Sequence, residues 1–583
     1  MERLAEEIRR RAGEAGPRLT ALRRHLHRHP EPAWGEYLTA SLVARALQDA
    51  GFRLTLGANA LRPSARPRQP EAAFCTAQSG RALNEGADPT LVACMAGGLT
   101  GLWGDLDLDS PGTPEDERGP LVAFRFDMDA NAGITEATDK DHFPAAQGFA
   151  SCHTGCMHAC GHDGHVALGV ELARLLGGLR DELSRHLSGR IRLIFQPAEE
   201  EGEGAPGMVA AGAVDGVRAL FGLHLSMQAS RSGDLVCGTD KFLATTNFEV
   251  FFTGQSAHAG LAPHEGRNAL LAACTAVTNL LAIARHGQGA SRINVGEMHV
   301  NETPNIIPAK AWLRGETRGE NGDINGYMLA EARRVVDGAA RMHGCRSRFL
   351  CQSHCPGAMS SPELVDLVER TARDMGSFRE VRRKADFWAS EDFGWFMNKV
   401  QEDGGLAAYL QLGADRPDGH HTSHFTFDES VLPRGLELLA RLAVRMAGGG
   451  QEDTETQTEN DMEFLDEVVR RKGIHVQLWL EGEDGEGFGR GRVELLQLVD
   501  ELGSLSKAAK QLGMSYRGAW GKIKKAERIA GETLVDASGT KRDGYSLTPA
   551  GRELVQRFQQ WYADVESFAN KRAEALFSDF DKE

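Results

Sequence analysis

Cysteine is scarce in this chain. Ten residues in 583 exclude a disulfide-dense scaffold and leave the thiols for other chemistry. No apolar run is long enough for a membrane-spanning helix. Basic residues are in the minority: 66 Lys and Arg against 82 Asp and Glu give a formal net charge of -16. That balance disfavours nonspecific nucleic-acid binding by the chain as a whole, though not by a local patch. The opening Met1-Glu2-Arg3-Leu4-Ala5-Glu6-Glu7 lacks the apolar stretch of a secretory signal, so the cytoplasm is the expected compartment. What the chain has in abundance is length. At 583 residues it exceeds one hydrophobic core, and three or more globular units are expected.

The pattern of apolar residues divides it. Residues 1–50 repeat Leu19, Leu22, Leu26, Leu42, Val43 and Leu47 at helical spacing. Residues 57–119 read as irregular, rich in proline and glycine, either a disordered insertion or an ordered loop near the site. Strands and helices then alternate: strands at 121–124, 191–195 and 219–223, a helix at 165–178, and the start of another at 207–213. This argues for an α/β fold with a largely parallel sheet. From 242 to 355 the alternation of Phe248, Val250 and Phe252, a helix over 268–285 and strands near 293–300 and 311–317 indicate a compact α+β insertion. Residues 356–446 resume the first pattern and end in a helix at 430–446. An acidic linker over 447–467 follows, with eight acids and no base between 451 and 467. A separate domain occupies 468–583.

The chemistry is concentrated at the ends of apolar runs. Cys160-Gly161-His162-Asp163-Gly164-His165 places a thiol, imidazoles and a carboxylate on one short turn. Gln196-Pro197-Ala198-Glu199-Glu200 closes one strand-like run, Gly222-Leu223-His224 closes another, and His420-His421 lies far downstream. A soft donor, several imidazoles and a paired carboxylate suit a two-metal hydrolytic site. Consecutive side chains diverge, so one of Glu199 and Glu200 can bind metal while the other faces substrate. Cys152 and Cys156 read as incidental thiols of a small-residue loop.

These stretches, with Arg23-Arg24-His25-Leu26-His27-Arg28-His29-Pro30-Glu31, Asp127-Met128-Asp129-Ala130, Ser256-Ala257-His258-Ala259, Asn305-Ile306-Ile307-Pro308 and Ser390-Glu391-Asp392-Phe393, resemble the metal-dependent aminoacylase and carboxypeptidase amidohydrolases over roughly residues 15–446. Gly148-Phe149-Ala150-Ser151-Cys152, Ala244-Thr245-Thr246 and Gly419-His420-His421 extend the resemblance to the branch of p-aminobenzoyl-glutamate hydrolases. The resemblance implies a zinc-peptidase-like catalytic domain (1–241 and 356–446) interrupted by a lid and dimerisation domain (242–355). It implies two divalent ions, Mn²⁺ or Zn²⁺, held by Cys160, His162, Glu200, His224 and His421. His421 is preferred to His420 by the family spacing to Phe425, and His424 is taken as a surface or supporting histidine. Glu199 would be general base and acid, and Asp129 would orient a ligand imidazole, with Asp127 structural. His258 would reach a partner's site to stabilise the oxyanion. Asn305 and Arg318 would hold the substrate carboxylate. The expected substrate is an N-acyl amino acid, p-aminobenzoyl-glutamate among the options, cleaved by a homodimer or by a heteromer with a related chain.

Residues 504–526 hold six bases and no acid. Small Ala508 and Ala509, Gly513 at a turn and Ser515 as a cap outline a helix-turn-helix with 516–528 as recognition helix. Trp520 and Ile523 would face inward, and Lys507, Arg517, Lys522, Lys524 and Lys525 would face DNA. Residues 533–535 and 545–547 would form a wing with Lys541 and Arg542 at its tip. The block resembles the DNA-binding domain of molybdate-dependent transcriptional regulators; molybdate sensing is not carried over. Leu554, Phe558, Trp561, Val565, Phe568 and Ala575 form a helical seam, either dimeric or covering the domain's own core. The alternative function is a ligand-responsive regulator that uses the hydrolase-like part as its sensor.

Overall fold

The computed structural model describes residues 2–110, 112–114, 118–447, 479–481, 487–512, 516–536 and 545–577. The expectations for the acidic linker, for Gly513 and Ser515 and for the wing tip with Lys541 and Arg542 lie outside the described residues, as do those for the side chains of Arg517 and Ala575. The chain divides into two compact units, Met1–Asp453 and Thr454–Glu583. Among the described residues no helix is long and apolar enough to cross a membrane.

The first unit is built on an eight-stranded sheet. Its order is Arg53–Leu56, Leu102–Asp107, Arg190–Gln196, Leu121–Asp127, Val217–Leu225, Leu406–Leu412, Asp234–Val236 and Glu380–Arg382. Only the four central strands, 190–196 through 406–412, are all mutually parallel; antiparallel pairings flank them on both sides. Leu121–Asp127 is buried at every position, as a strand covered on both faces requires. One face carries the helix His162–Gly177, packed on Gly16–Arg28, Tyr37–Asp49 and Leu432–Ala447. The other face packs Leu121, Ala123, Leu220 and Tyr409 against Phe393, Phe396 and Met397 of the helix Phe393–Glu402.

Residues 57–119 correct the expectation of irregular chain. They form helices Ala72–Asn84 and Pro89–Cys94 and the sheet strand Leu102–Asp107. Pro63 and Pro89 sit in the first turn of helical segments, where proline lacks only an N–H that had no partner anyway. Proline here starts structure rather than breaking it.

Within the same unit, Ser291–His299, Lys310–Gly319, Ala244–Thr253 and Arg346–Cys355 form a four-stranded antiparallel sheet. Helices Ala269–Leu281 and Gly322–Met342 cover one face through Phe248, Val250, Phe252, Ala276, Leu313 and Met328. The 21-residue helix Gly322–Met342 escaped the sequence reading; Gly322, Gly326 and Gly338 disguise it, and Asn321 caps it by accepting from the Ile324 N–H.

The second unit holds helices Arg490–Leu502, Leu505–Gln511 and Tyr516–Ala530, a short antiparallel pair Val535–Asp536 with Ser546–Leu547, and the long helix Pro549–Phe577. Ala508, Ala509 and Ile523 are buried in one apolar cluster, with Leu554, Phe558 and Trp561 of the long helix packed on it. That stretch of the seam covers the unit's own core, whereas Phe568 further along is 70% exposed.

Candidate metal centre

Parallel strands end on one edge of a sheet, and the four central strands deliver their polar residues there. Leu121–Asp127 leads to Asp127 and Asp129, Arg190–Gln196 to Glu199 and Glu200, and Val217–Leu225 carries His224. The loop after Leu406–Leu412 brings His420 and His421. The turn before the helix His162–Gly177 supplies Cys160, with Gly161 at φ 97° allowing the chain to enter the helix there. Three of the non-glycine residues with positive φ, Ala198, Ser226 and His421, fall in or beside these segments. Backbone held in that region is strained, and such strain collects where a site needs it. His421 is pinned by its N–H to the carbonyl of Ala159 at 2.9 Å, which joins the distant loop to the Cys160 turn.

The donor atoms converge. Cys160, His162 and His224 lie within 4.8 Å of one another, as do Cys160, Glu200 and His421, and His162, Glu199 and Glu200. Cys160 Sγ is 3.3 Å from His224 Nε2, and His421 Nε2 is 3.2 Å from Glu200 Oε2. His162 Nδ1 donates to the carbonyl of Asp129 at 2.9 Å and His224 Nδ1 to that of Leu225 at 2.8 Å. A carbonyl only accepts, so Nδ1 holds a proton on each ring and Nε2 faces the cluster, the orientation a metal-binding imidazole needs. His162 Nε2 and Glu200 Oε1 are buried without a hydrogen-bond partner. Burial works against charge on His162, yet Asp127, Asp129 and Glu200 hold its pKa up at about 10. The pocket is built around a positive charge, and its thiol, imidazole and carboxylate donors fit divalent zinc or manganese.

Asp129 does more than expected. Its main-chain carbonyl lies 2.9 Å from His162 Nδ1 and its carboxylate 3.6 Å; the carboxylate also accepts from the N–H groups of Glu199 and Glu200, both at 3.0 Å. It therefore sets the turn that presents the paired glutamates. Burial, then the charges of Glu391 and Glu200, raise the Glu199 pKa well above the carboxylate range. Asp127 is committed to Arg125 and to His165 Nδ1, both at 2.5 Å, and His165 Nε2 in turn accepts from the Leu225 N–H. His420 Nε2 donates to the Leu225 carbonyl at 3.2 Å, away from Glu200, and His424 is exposed beside Asp139.

The sequence reading assigned no role to Arg125, Gln196 and Tyr409. Arg125 is fully buried beneath the centre, bonded to Gln196, Asp127, Glu391 and Asp392, and Tyr409 donates to Glu391 at 2.7 Å. The signal available was an arginine inside the apolar strand run 121–127, where only a paired cation survives.

The structure does not bring the insertion's residues to this cluster. His258 is exposed, its Nδ1 accepting from the N–H groups of Gly260 and Leu261 at 3.2 and 3.0 Å. Asn305 accepts from Thr303, and Arg318 is paired with Glu316 on its own strand at 2.8 Å. Among the described residues none of the three bonds to the donor cluster.

In the second unit Lys507 and Lys522 are exposed. Lys524 is paired with Glu527 at 2.7 Å and lies over the Trp520 ring, and Lys525 is half-buried. Trp520 is half-buried rather than fully inward.

Comparison with known proteins agrees with both readings in outline. Residues 123–445 match the model of peptidase family M20/M25/M40, and residues 491–552 match that of the bacterial regulatory helix-turn-helix protein, lysR family. The latter bears out the bacterial helix-turn-helix and is to the lysR family, not to the molybdate-dependent regulators of the sequence resemblance. An indole-3-acetyl-aspartic acid hydrolase of Enterobacter agglomerans is 43% identical over 73% of this chain and 95% of its own. One subunit of the p-aminobenzoyl-glutamate hydrolase of Escherichia coli (strain K12) is 40% identical over 75% and 98%. The crystal structure of an aminobenzoyl-glutamate utilization protein from Klebsiella pneumoniae superposes with a TM-score of 0.60 at 36% identity, over 74% of this chain and 96% of that one. With the model matched over 123–445 and relatives 40% and 43% identical over nearly their whole length, the chain belongs to peptidase family M20/M25/M40 and carries, C-terminal to that match in sequence, a regulatory helix-turn-helix.

Proposed function

We propose that the first unit hydrolyses the amide bond of an N-acyl amino acid, with aryl-acyl conjugates of acidic amino acids such as p-aminobenzoyl-glutamate as the leading candidates. The observation that carries this is the cluster of Cys160, His162, Glu200, His224 and His421, in which His162 Nε2 and Glu200 Oε1 are buried without a hydrogen-bond partner. These five residues would hold two divalent ions, Mn²⁺ or Zn²⁺. Bound there, the ions supply Lewis acidity to the carbonyl and to water. Glu199 takes a proton from the attacking water and returns it to the leaving amide nitrogen; its raised proton affinity suits both steps. Asp129 holds Glu199 and Glu200 in place through their backbone. Asn305 and Arg318 would receive the substrate carboxylate, and His258, with Nδ1 accepting and so Nε2 free to donate, would stabilise the oxyanion of a partner's site. That role needs a second copy of the inserted unit, or a related companion chain; the Escherichia coli relative is named as one component of its hydrolase. The cytoplasm is the proposed compartment.

The test is turnover of metal-loaded protein on p-aminobenzoyl-glutamate, indole-3-acetyl-aspartate and a panel of N-acyl amino acids. Turnover no greater than that of Glu199→Ala would defeat this reading. A second reading, a regulator that senses such a ligand, is favoured by the helix-turn-helix of the second unit, with Lys507, Arg517, Lys522, Lys524, Lys525, Lys541 and Arg542 as its DNA contacts. The strand pair after the third helix supports a wing of the kind in molybdate-dependent regulators. Specific DNA binding by the full chain that weakens as salt rises supports it, and no binding at low salt removes it.

A further inference from the structure

We propose a second metal site, built from His29, Glu85, Cys152 and His153, that holds one thiophilic divalent ion of the zinc class by four protein donors. One ligand atom of each of the four lies within 4.8 Å of the others. They come from three separate places. His29 and Glu85 each stand just past the end of a helix, Gly16–Arg28 and Ala72–Asn84, and Cys152 and His153 lie in the loop that leads to the Cys160 turn. The Cys152 N–H donates to the Arg28 carbonyl at 2.9 Å, which sets the thiol beside His29.

Two of the spacings suit a metal ion. Cys152 Sγ is 3.6 Å from His29 Nδ1, and His29 Nδ1 is 3.5 Å from Glu85 Oε2. Neighbouring donors of a tetrahedral zinc ion, with bonds of about 2.0–2.3 Å, stand about 3.3–3.6 Å apart. A nitrogen and a carboxylate forming an ion pair of their own close to about 2.8 Å. Glu85 Oε2 does not close: it is buried with no hydrogen-bond partner.

His153 carries the second observation. Its Nδ1 lies 2.9 Å from the Pro30 carbonyl, and its Nε2 lies 2.6 Å from Glu85 Oε1. The carbonyl can only accept, so Nδ1 holds a proton. A neutral ring then sets the lone pair of Nε2 against a carboxylate oxygen. Positive charge must enter there: a second proton at the present 2.6 Å, or a metal ion once Nε2 and the carboxylate oxygen part to about 3.3 Å. An ordinary surface His–Glu pair would take the proton and stop. Here a thiol and a second imidazole complete the ring of donors around the orphan oxygen. Arg28 and Arg81 are the cations near Cys152; Arg28 is turned to the Gly148 carbonyl at 2.8 Å, and Arg81 Nε and Nη2 are buried without a hydrogen-bond partner.

A closed set of four protein donors is the mark of a structural rather than a catalytic ion, and a thiolate among them selects zinc over manganese. Coordination would displace the thiol proton to solvent and pin the 57–119 insertion, through Glu85, to the His29 turn and the 148–160 loop. Among the described residues no hydrogen bond or ion pair joins these four to the Cys160 cluster, so the proposal does not depend on the proposed hydrolysis.

The test uses the full chain and zinc alone. Iodoacetamide labelling is followed at each cysteine by mass spectrometry, with and without zinc. Cys152, Cys94 and Cys274 are all exposed, so the latter two serve as internal controls. Zinc should slow labelling of Cys152 by about tenfold or more, since a coordinated thiolate is a poor nucleophile, and leave Cys94 and Cys274 unchanged. Glu85→Gln should abolish that protection. Bound zinc per chain should fall by one in Cys152→Ser. Equal labelling of wild-type Cys152 with and without zinc would overturn the site, a result that needs no variant to fold. So would unchanged zinc content in a folded Cys152→Ser.

Discussion

The two units spend their interiors differently. The first buries Arg23, His27, Glu31, Glu36, Arg125, Asp127, Asp129, His162, Asp163 and Glu391 among its apolar residues, whereas the buried residues described in the second are all apolar. An unpaired buried charge is expensive, so each of the first unit's must be answered. Arg23 meets Asp163 at 2.9 Å, Arg125 meets Asp127 and Glu391, and Glu31 accepts two backbone N–H groups. Where protein partners run out, at His162 Nε2 and Glu200 Oε1, the demand is for a cation. Among the described residues the second unit buries no charge, which suits the proposed contact of its surface with a polyanion. The contrast sets a buried cluster against a surface, so each proposed function can be broken without the other.

The largest effect should come from Glu199→Gln, which keeps the shape and removes the proton carrier. Hydrolysis should fall about 10²–10⁴-fold. DNA affinity measured by anisotropy should not move; a parallel loss would show that the two units are coupled. Next is Ile523→Ala in the core of the second unit. It should destabilise that unit by about 2–5 kcal/mol, read as early loss of its helical signal on heating, while hydrolysis persists.

A third prediction sharpens the difference in buried charge. Burial raises the Glu31 pKa to about 7, against the backbone N–H groups of Thr39 and Leu38, which lower it. The folded state therefore holds this proton more tightly than the unfolded state. Stability from Glu31 is full below about pH 4.5 and is lost as pH rises through 7, with a slope of up to about 1.4 kcal/mol per pH unit. Glu31→Gln should flatten that part of the denaturation profile of the first unit, and an unchanged profile would refute the assignment. The smallest effect belongs to Lys522→Ala. It should weaken binding to all DNA sequences alike and lower the salt slope by about 1, with no effect on stability.

Much of this was legible in the chain, because apolar periodicity follows local geometry. The strands at 121–127, 190–196 and 217–225 and the helix Tyr516–Ala530 stand close to where the pattern places them. The residues 57–119 were not legible, since prolines that open helices look the same in sequence as prolines that break them. Arg125 was passed over because a strand pattern does not say which buried cation finds partners, and its partner Glu391 lies 266 residues away.

Sequence alone determined which donors exist, their order, and that each polar group closes an apolar run, because those are properties of short segments. Tertiary structure decided which of His420 and His421 faces Glu200, that Asp129 works through its backbone carbonyl as well as its carboxylate, and that Cys152 meets His29, Glu85 and His153. The physical reason is one of range. Periodicity fixes which face a side chain takes on its own element, but the distance between atoms hundreds of residues apart is set only when the parallel strands align and their ends come to one edge.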